Sequence, residues 1–185
     1  MKENQSRSEC AAFVGVSLDG YIARPNGDLD WLMSESGGDS AEYGYNEFIA
    51  GIDAIVMGRK TFEKVVMFEK WYYGNKRVVV LSHHPLDVSG ARARGGVVEQ
   101  LEGAPEEIVS RLAESGACRL YVDGGLTIQE FLRAGLIRRL VISRLPVLIG
   151  EGIPLFGSLP HDIHLNHIVT RTYPGGMVQT EYSIA

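Results

Sequence analysis

Cysteine is scarce in this sequence, with only Cys10 and Cys118 among 185 residues. Two cysteines far apart in the chain exclude a disulfide framework and any cysteine-based zinc or iron–sulfur site. The fold must therefore depend on an apolar core, for which the 45% hydrophobic content is sufficient. This cysteine usage fits a reducing compartment, and we expect a cytoplasmic protein.

An excess of positive charge is absent too. Lysines and arginines number 18 against 23 acidic residues and are scattered along the chain, whereas proteins that bind nucleic acid carry a basic stripe. No apolar run is long enough to cross a bilayer. We therefore expect neither nucleic acid nor a membrane as a partner. The polar start predicts a disordered stretch over residues 1–9, followed by a single domain over residues 10–185.

Apolar segments of strand length alternate with segments of helical spacing. The strand-like segments include CAAFVGVS, DAIVMG, RVVVLS and CRLYVDGG, and the helical ones include KTFEKVV, APEEIVSRLAESG and LTIQEFLRAGL. This alternation predicts an α/β fold with a mostly parallel sheet, and strands without polar positions predict a three-layer α/β/α arrangement. After Gly157, two strand-like stretches separated by PGG predict a C-terminal antiparallel hairpin at the sheet edge.

The connection SLDGYIARPNGDLDWLMSESGGDS is long for a compact domain and carries large apolar side chains. We therefore expect a loop that folds over a pocket. Trp31 in this loop could stack on a flat substrate or could anchor the loop. Tyr45, in the helical segment SAEYGYNEFIAGI, is a second aromatic candidate for contact with the substrate.

Three segments at strand ends carry residues suited to binding a phosphorylated ligand. In VMGRKTF, Gly58 permits a tight turn, the amides of Arg59, Lys60 and Thr61 would form a helix N-terminus, and Arg59 adds a forked cation. A helix start with solvated charges explains the same pattern.

In VVVLSHHP, Leu81 ends a strand and is followed by Ser82 and His83. These two residues offer a hydroxyl and an imidazole at the edge where open α/β sheets bind ligands. The neighbouring histidines lack further ligands at metal-binding spacing, so no metal is expected.

In LYVDGGLTIQEFL, Asp123 ends a strand, and Gly124 and Gly125 allow close approach of a pyrophosphate. Leu126 follows, and Thr127 with Glu130 has the spacing of a capping box. The glycines could also serve turn geometry alone, and the usual GxGxxG dinucleotide fingerprint is absent.

Taken together, the order and spacing of these three segments resemble the cofactor-binding elements of dihydrofolate reductase. SLDGYIA, the DGG turn and RLPVLIGEGIPLF resemble more specifically the reductase domain of the riboflavin-biosynthesis deaminase-reductase and its stand-alone relatives. The resemblance covers residues 10–183 and implies a dihydrofolate-reductase-like fold, with NADPH as cofactor and a small molecule as substrate.

The resemblance also implies roles for individual residues. Gly58, Arg59, Lys60 and Thr61 would hold the pyrophosphate and the adenosine 2′-phosphate, with Leu81, Ser82 and His83 beside the latter. Asp123, Gly124, Gly125, Leu126 and Thr127 would close over the pyrophosphate, and Ala12, Gly20 and Ile22 would line the nicotinamide. Dihydrofolate reductases commonly have an arginine where Leu126 stands, so a preference for NADPH would depend on Arg59.

A proton donor is harder to assign. Glu42 occupies the place where dihydrofolate reductases carry the acid that orients the pterin, but Asp39 and Glu42 also have capping-box spacing. Asp19 is a second catalytic candidate, and Asp28 and Asp30 are further carboxylates of the loop. Each of these three also fits a turn residue.

The expected reaction is hydride transfer to an electrophilic C=N or C=O group, which needs positioning more than catalytic side chains. The HxE and PCxxC motifs of a zinc deaminase are missing, so the chain corresponds to the reductase half alone or to a relative with a different substrate. A dihydrofolate reductase and a non-catalytic NADP-binding module remain alternatives. The apolar stretch LVISRLPVLIGEGIPLF exceeds the needs of one strand and predicts a homodimer through this stretch or the sheet edge.

Overall fold

The computed structural model describes residues 8–35 and 43–185. The strands are β1 (Glu9–Ser17), β2 (Tyr21–Ala23), β3 (Ala54–Gly58), β4 (Arg77–Leu81), β5 (Val97–Leu101), β6 (Arg119–Asp123), β7 (Ile137–Leu145), β8 (Ile153–Pro154), β9 (Leu165–Thr172) and β10 (Val178–Ile184). The helices are α1 (Asp30–Glu35), α2 (Tyr45–Ala50), α3 (Arg59–Val66), α4 (Ser89–Arg92), α5 (Pro105–Glu114) and α6 (Gly125–Arg133).

Eight strands form one sheet in the order β5-β4-β3-β6-β1-β7-β10-β9. The neighbours from β5 to β7 pair in parallel, whereas β10 pairs antiparallel with both β7 and β9. The predicted mostly parallel sheet with a C-terminal antiparallel hairpin is therefore confirmed. Strand β1 begins at Glu9, and residues 1–7 lie outside the described residues.

Consecutive residues of the central strands pack into different cores. In β3, Ala54 and Val56 belong to the core that includes Phe131 of α6, while Ile55 and Met57 belong to the core that includes Phe62 of α3. All four β3 residues are fully buried. Burial on both faces explains why the sequence of this strand has no polar alternation, and it produces the predicted three layers.

The predicted long loop is wrong in part, because residues 17–35 include β2 and α1. Strand β2 pairs with β8, and the Leu155 amide donates a hydrogen bond to the Gly20 carbonyl at 3.0 Å. The segment that follows β1 is therefore tied to the segment that follows β7. The apolar residues of β2 use this pairing instead of forming a free flap.

The sequence predicts neither a membrane-spanning segment nor a metal site. In residues 8–35 and 43–185, no helix has the length and apolar character needed to cross a membrane. The same residues contain no group of three or more histidine, cysteine, aspartate or glutamate side chains arranged to hold a metal ion.

Candidate active site

The three predicted segments meet at one edge of the sheet. Strands β4, β3 and β6 are neighbours, with Gly58 in register with Leu81 and Met57 in register with Asp123. Since these strands are parallel, the residues that follow them lie at their shared carboxyl edge, where open α/β sheets bind ligands.

Contacts between the β3–α3 turn and the β6–α6 turn are close enough to require glycine. A Cβ atom added to Gly124 would overlap with Thr61 Oγ1, and one added to Gly58 would lie 3.0 Å from Thr127 Oγ1. Gly124 also has φ of 91°, which side chains with a Cβ rarely adopt. The two turns thus form a cradle in which the Thr61 and Thr127 hydroxyls lie against the glycine backbone of the opposite turn.

Both helices that leave this cradle begin without a side-chain cap. The N-cap residues are Gly58 for α3 and Gly124 for α6, and neither position carries a capping side chain. The first amides of each helix therefore lack a capping acceptor, and they attract anions together with the helix dipole. This arrangement fits the pyrophosphate of a dinucleotide.

The predicted capping box at Thr127 and Glu130 is wrong. Helix α6 begins at Gly125, so Thr127 lies within its first turn and is 5% exposed. The Thr127 hydroxyl instead borders Gly58 of the neighbouring turn. Leu126, by contrast, is 61% exposed beside the cradle.

The polar side chains predicted to bind the adenosine phosphate already have partners in the protein. Arg59 Nε donates to Glu63 Oε1 at 2.6 Å, and His83 Nδ1 lies 3.3 Å from Glu102 Oε2. The Ser82 hydroxyl donates to the His84 carbonyl at 2.8 Å. Among the described residues, Lys60 has neither an ion pair nor a side-chain hydrogen bond, and it is exposed.

Asp123 is the central titratable group at the cradle. Its Oδ2 accepts a hydrogen bond from the Tyr73 hydroxyl at 2.9 Å. Burial raises the pKa of the Asp123 carboxyl, and hydrogen bonds from Tyr73 and the Gly124 amide offset part of that rise. The neighbouring Tyr121 hydroxyl donates instead to the Phe13 carbonyl at 3.0 Å. The Asp123 charge also adds to the effect of burial in raising the pKa of Tyr45.

The contact of Tyr73 with Asp123 was not predicted from the sequence. Tyr73 is 7% exposed and comes from the connection between α3 and β4, so its spacing gives no indication of contact with Asp123. Asp123 itself does carry a signal, because it is an acid that ends the otherwise apolar run LYV of a buried strand.

The other carboxylate candidates differ from Asp123. Asp19 accepts hydrogen bonds from the Ser17 hydroxyl at 2.6 Å and from the Ile149 and Gly150 amides, and these bonds lower its pKa. Asp19 thus connects the end of β1 to the turn after β7, and it is poorly suited to donate a proton. Glu42 and its capping partner Asp39 lie outside the described residues.

Asp28 and Asp30 are both engaged in ion pairs. Asp28 pairs with Lys64 of α3, and Asp30 pairs with Arg24 at 2.7 Å. The Asp28 pair attaches the segment after β2 to the helix that begins at the cradle, and the Asp30 pair lies within that segment. They favour the structural interpretation of both carboxylates.

The predicted nicotinamide contacts differ in their accessibility. Ile22 lies against the second cradle glycine, since a Cβ added to Gly125 would lie 2.7 Å from Ile22 Cδ1. Gly20 adopts φ of 87° in the turn before β2. Ala12 is fully buried in the core.

The two predicted substrate contacts also lie in different surroundings. Trp31 is 3% exposed and packs in a cluster with Leu145 and Met177, which supports its role as an anchor. Tyr45 packs edge-on against Phe13 and Tyr121, with ring centroids 5.5 and 6.3 Å apart. Tyr45 therefore belongs to the aromatic group around Asp123.

Residues 10–179 match the model of the RibD C-terminal domain family. The chain belongs to this family. The RibD C-terminal domain match confirms the resemblance inferred from the three strand-end segments. A Bacillus subtilis relative, the uncharacterized protein YwjB, is 31% identical over 172 residues, which cover 92% of this chain and 94% of YwjB.

Solved structures agree with this assignment. A Shewanella sp. PV-4 protein named for riboflavin biosynthesis is 35% identical, with a TM-score of 0.87 and coverage of 96% of this chain and 99% of that one. Dihydrofolate reductase from Enterococcus faecalis, solved with NADP(H) and RAB-propyl, has a TM-score of 0.65 at 18% identity, with coverage of 96% and 97%. The dihydrofolate-reductase-like fold of this RibD C-terminal domain is thus confirmed.

Proposed function

We propose that this protein is an NADPH-dependent reductase that transfers hydride to the C=N or C=O group of a small heterocyclic or sugar-imine substrate. The observation that carries the proposal is the cradle in which Thr61 meets Gly124 and Thr127 meets Gly58. Two helix N-termini without side-chain caps lie at this cradle, and helix N-termini of this kind favour binding of a pyrophosphate.

The residues of the chain would mainly bind the cofactor and position its nicotinamide against the substrate. The amides at the starts of α3 and α6 would hold the pyrophosphate, Lys60 would neutralise it, and Arg59 would face the 2′-phosphate. Ile22, which packs on Gly125, would border the nicotinamide. When bound, the reduced nicotinamide supplies the hydride.

Reduction of a C=N or C=O group also requires one proton. Asp123 is our candidate for holding it, because burial raises the pKa of its carboxyl and its neighbours at the cradle are Tyr73 and Gly124. A carboxyl group with a raised pKa retains its proton to higher pH, as general acids do. We assign Asp123 this role in preference to Asp19, whose pKa is lowered.

The substrate class follows from the family. The similar reductase of riboflavin biosynthesis reduces the ribose side chain of a phosphorylated aminopyrimidine to ribitol, and this reaction is the first that we propose to test. The free cysteines Cys10 and Cys118 fit action in a reducing cytoplasm.

The test is oxidation of NADPH by the purified protein with a panel of substrates. The panel contains the phosphorylated ribosylaminopyrimidine, its dephosphorylated form, dihydrofolate and a quinone. Turnover of either aminopyrimidine supports the proposal, and turnover of dihydrofolate alone would make the protein a dihydrofolate reductase. Binding of NADPH without turnover of any compound would favour a non-catalytic module and contradict the reductase assignment.

A further inference from the structure

The candidate cofactor site has two parts. The pyrophosphate end consists of the starts of α3 and α6, and the ribose end, which would hold the adenosine ribose and its 2′-phosphate, consists of Arg59, Ser82 and His83. The two ends differ in how many of their hydrogen-bond donors are already used within the protein. At the pyrophosphate end, the amides of two helix starts lack side-chain caps. At the ribose end, Arg59, Ser82 and His83 each have an internal partner. Only the 2′-phosphate distinguishes NADPH from NADH, so these three residues would determine the preference between the two cofactors.

Arg59 shares its charge with a carboxylate on the same helix. Glu63 lies one turn further along α3, and its Oε1 accepts from Arg59 Nε at 2.6 Å. The side chains are 42% and 52% exposed, so both remain accessible to a ligand. A phosphate that reaches Arg59 therefore also meets the negative charge of Glu63, which opposes its binding.

Ser82 and His83 add little to counter this effect. The Ser82 hydroxyl donates to the His84 carbonyl and accepts from the His84 amide at 3.2 Å, so it has no proton left for a phosphate. His83 lies 3.3 Å from Glu102, which places a second carboxylate at this end. The same carboxylates can accept a hydrogen bond from the unphosphorylated ribose hydroxyl, a contact that favours NADH in other dinucleotide sites.

We propose that Glu63, supported by Glu102, offsets Arg59 and makes this protein discriminate only weakly between NADPH and NADH. The inference rests on the proposed reductase function and names the residue that controls the cofactor preference of its site. The presence of Leu126 also favours weak discrimination, because this exposed position after the two glycines carries no cation that could contact the 2′-phosphate. Lys60 does not change the difference in affinity between NADPH and NADH, since it would contact the pyrophosphate that both cofactors contain.

The test is titration of the purified protein with NADPH and with NADH, followed by nucleotide fluorescence. We expect both cofactors to bind, with dissociation constants within about tenfold of each other. The pair between Arg59 and the 2′-phosphate of NADPH would be exposed and opposed by Glu63, and exposed ion pairs contribute little to affinity. The Glu63→Gln variant should bind NADPH about two- to fivefold more tightly and NADH no more tightly, since it loses only the opposing charge. Glu102→Gln should change binding in the same direction by less.

A matched control separates this effect from a general change in charge. Glu114→Gln removes one negative charge at the end of α5, where Glu114 is exposed and lies near the amino end of β6, away from the cradle. It should alter neither affinity. A larger preference for NADPH in the wild-type protein overturns the inference, as does a Glu63→Gln variant whose affinity for NADPH is unchanged or lower. Binding of neither cofactor would instead contradict the proposed function itself.

Discussion

Thr61 and Gly124 belong to different βα turns, yet a single Cβ atom on Gly124 would overlap with the Thr61 hydroxyl. This contact brings the start of α3 against the start of α6. The amides at the two helix starts therefore lie on both sides of one cradle, an arrangement of the kind that favours anions. We expect that cradle and the Asp123 carboxyl beside it to determine cofactor binding and turnover.

Gly124→Ala should weaken NADPH binding by at least about tenfold, because the added methyl group displaces Thr61 and forces the turns apart. It should also lower the free energy of unfolding by about 1–3 kcal/mol, since an alanine is strained at this φ. Calorimetric titration with NADPH and thermal unfolding measure the two effects.

Gly116→Ala is the matched control. Gly116 has φ of 87°, close to that of Gly124, but a Cβ added there meets nothing within 4 Å. It should lower stability by less, since only backbone strain and no overlap arises there, and it should leave NADPH affinity unchanged. Equal loss of affinity in both variants would mean that strain, and not the shape of the cradle, explains the result.

Asp123→Asn should abolish most of the reductase turnover and remove the alkaline limb of its pH profile. With a raised pKa, Asp123 keeps its proton as the pH rises and loses it above its shifted pKa, so the wild-type rate should fall there. Tyr73→Phe removes a hydrogen bond that favours the carboxylate, and should move that limb to higher pH. An unchanged limb in both variants would exclude Asp123 as the acid.

Stability should depend on pH in a related way. The pKa of Asp123 is raised in the folded state. Its contribution to the free energy of unfolding is therefore most favourable below the unfolded-state pKa of about 3.9, where the carboxyl is protonated in both states. That contribution is lost as the pH rises through the folded-state pKa. Asp123→Asn should therefore gain thermal stability relative to wild type as pH increases from about 4. A difference in Tm that stays constant with pH would contradict the raised pKa.

Asp19→Asn should loosen the turn after β7 without changing the chemistry. Its carboxylate accepts from the Ile149 and Gly150 amides, at 3.2 and 2.8 Å. Hydrogen exchange at these two amides should become faster in the variant. The lowered pKa means that the wild-type bonds weaken as pH falls through it, so the difference should diminish in acid. A complete loss of turnover would instead support the catalytic role predicted for Asp19.

A homodimer remains our proposal for the assembly. Strand β9 is the edge of the sheet, with Leu165 and Ile168 exposed by 40% and 51%, and Leu148 in the stretch after β7 is 69% exposed. Exposed apolar residues on an edge strand favour association. Ile168→Lys and Leu148→Lys test the two surfaces by sedimentation, and the variant that dissociates identifies the interface. A wild-type monomer at micromolar concentration would contradict the proposal.

The sequence predicted the parts of the site that depend on local geometry. Strand ends followed by glycine, such as Met57-Gly58 and Asp123-Gly124, have a fixed relationship to the sheet, so their convergence could be expected. The partners of Asp123 could not be expected, because Tyr73 reaches it from a connection without regular spacing. The assignment of Ala12 to the nicotinamide stays a prediction that rests on the resemblance, and Ala12 itself packs in the core from β1.

The measurement that tests the central claim most directly is the change in backbone amide NMR shifts on addition of NADPH. The cradle predicts saturable changes concentrated at the first amides of the two helices, Arg59, Lys60 and Thr61 of α3 and Gly125 and Leu126 of α6. Changes confined to other surfaces, or none at saturating nucleotide, would contradict a dinucleotide site at this edge of the sheet.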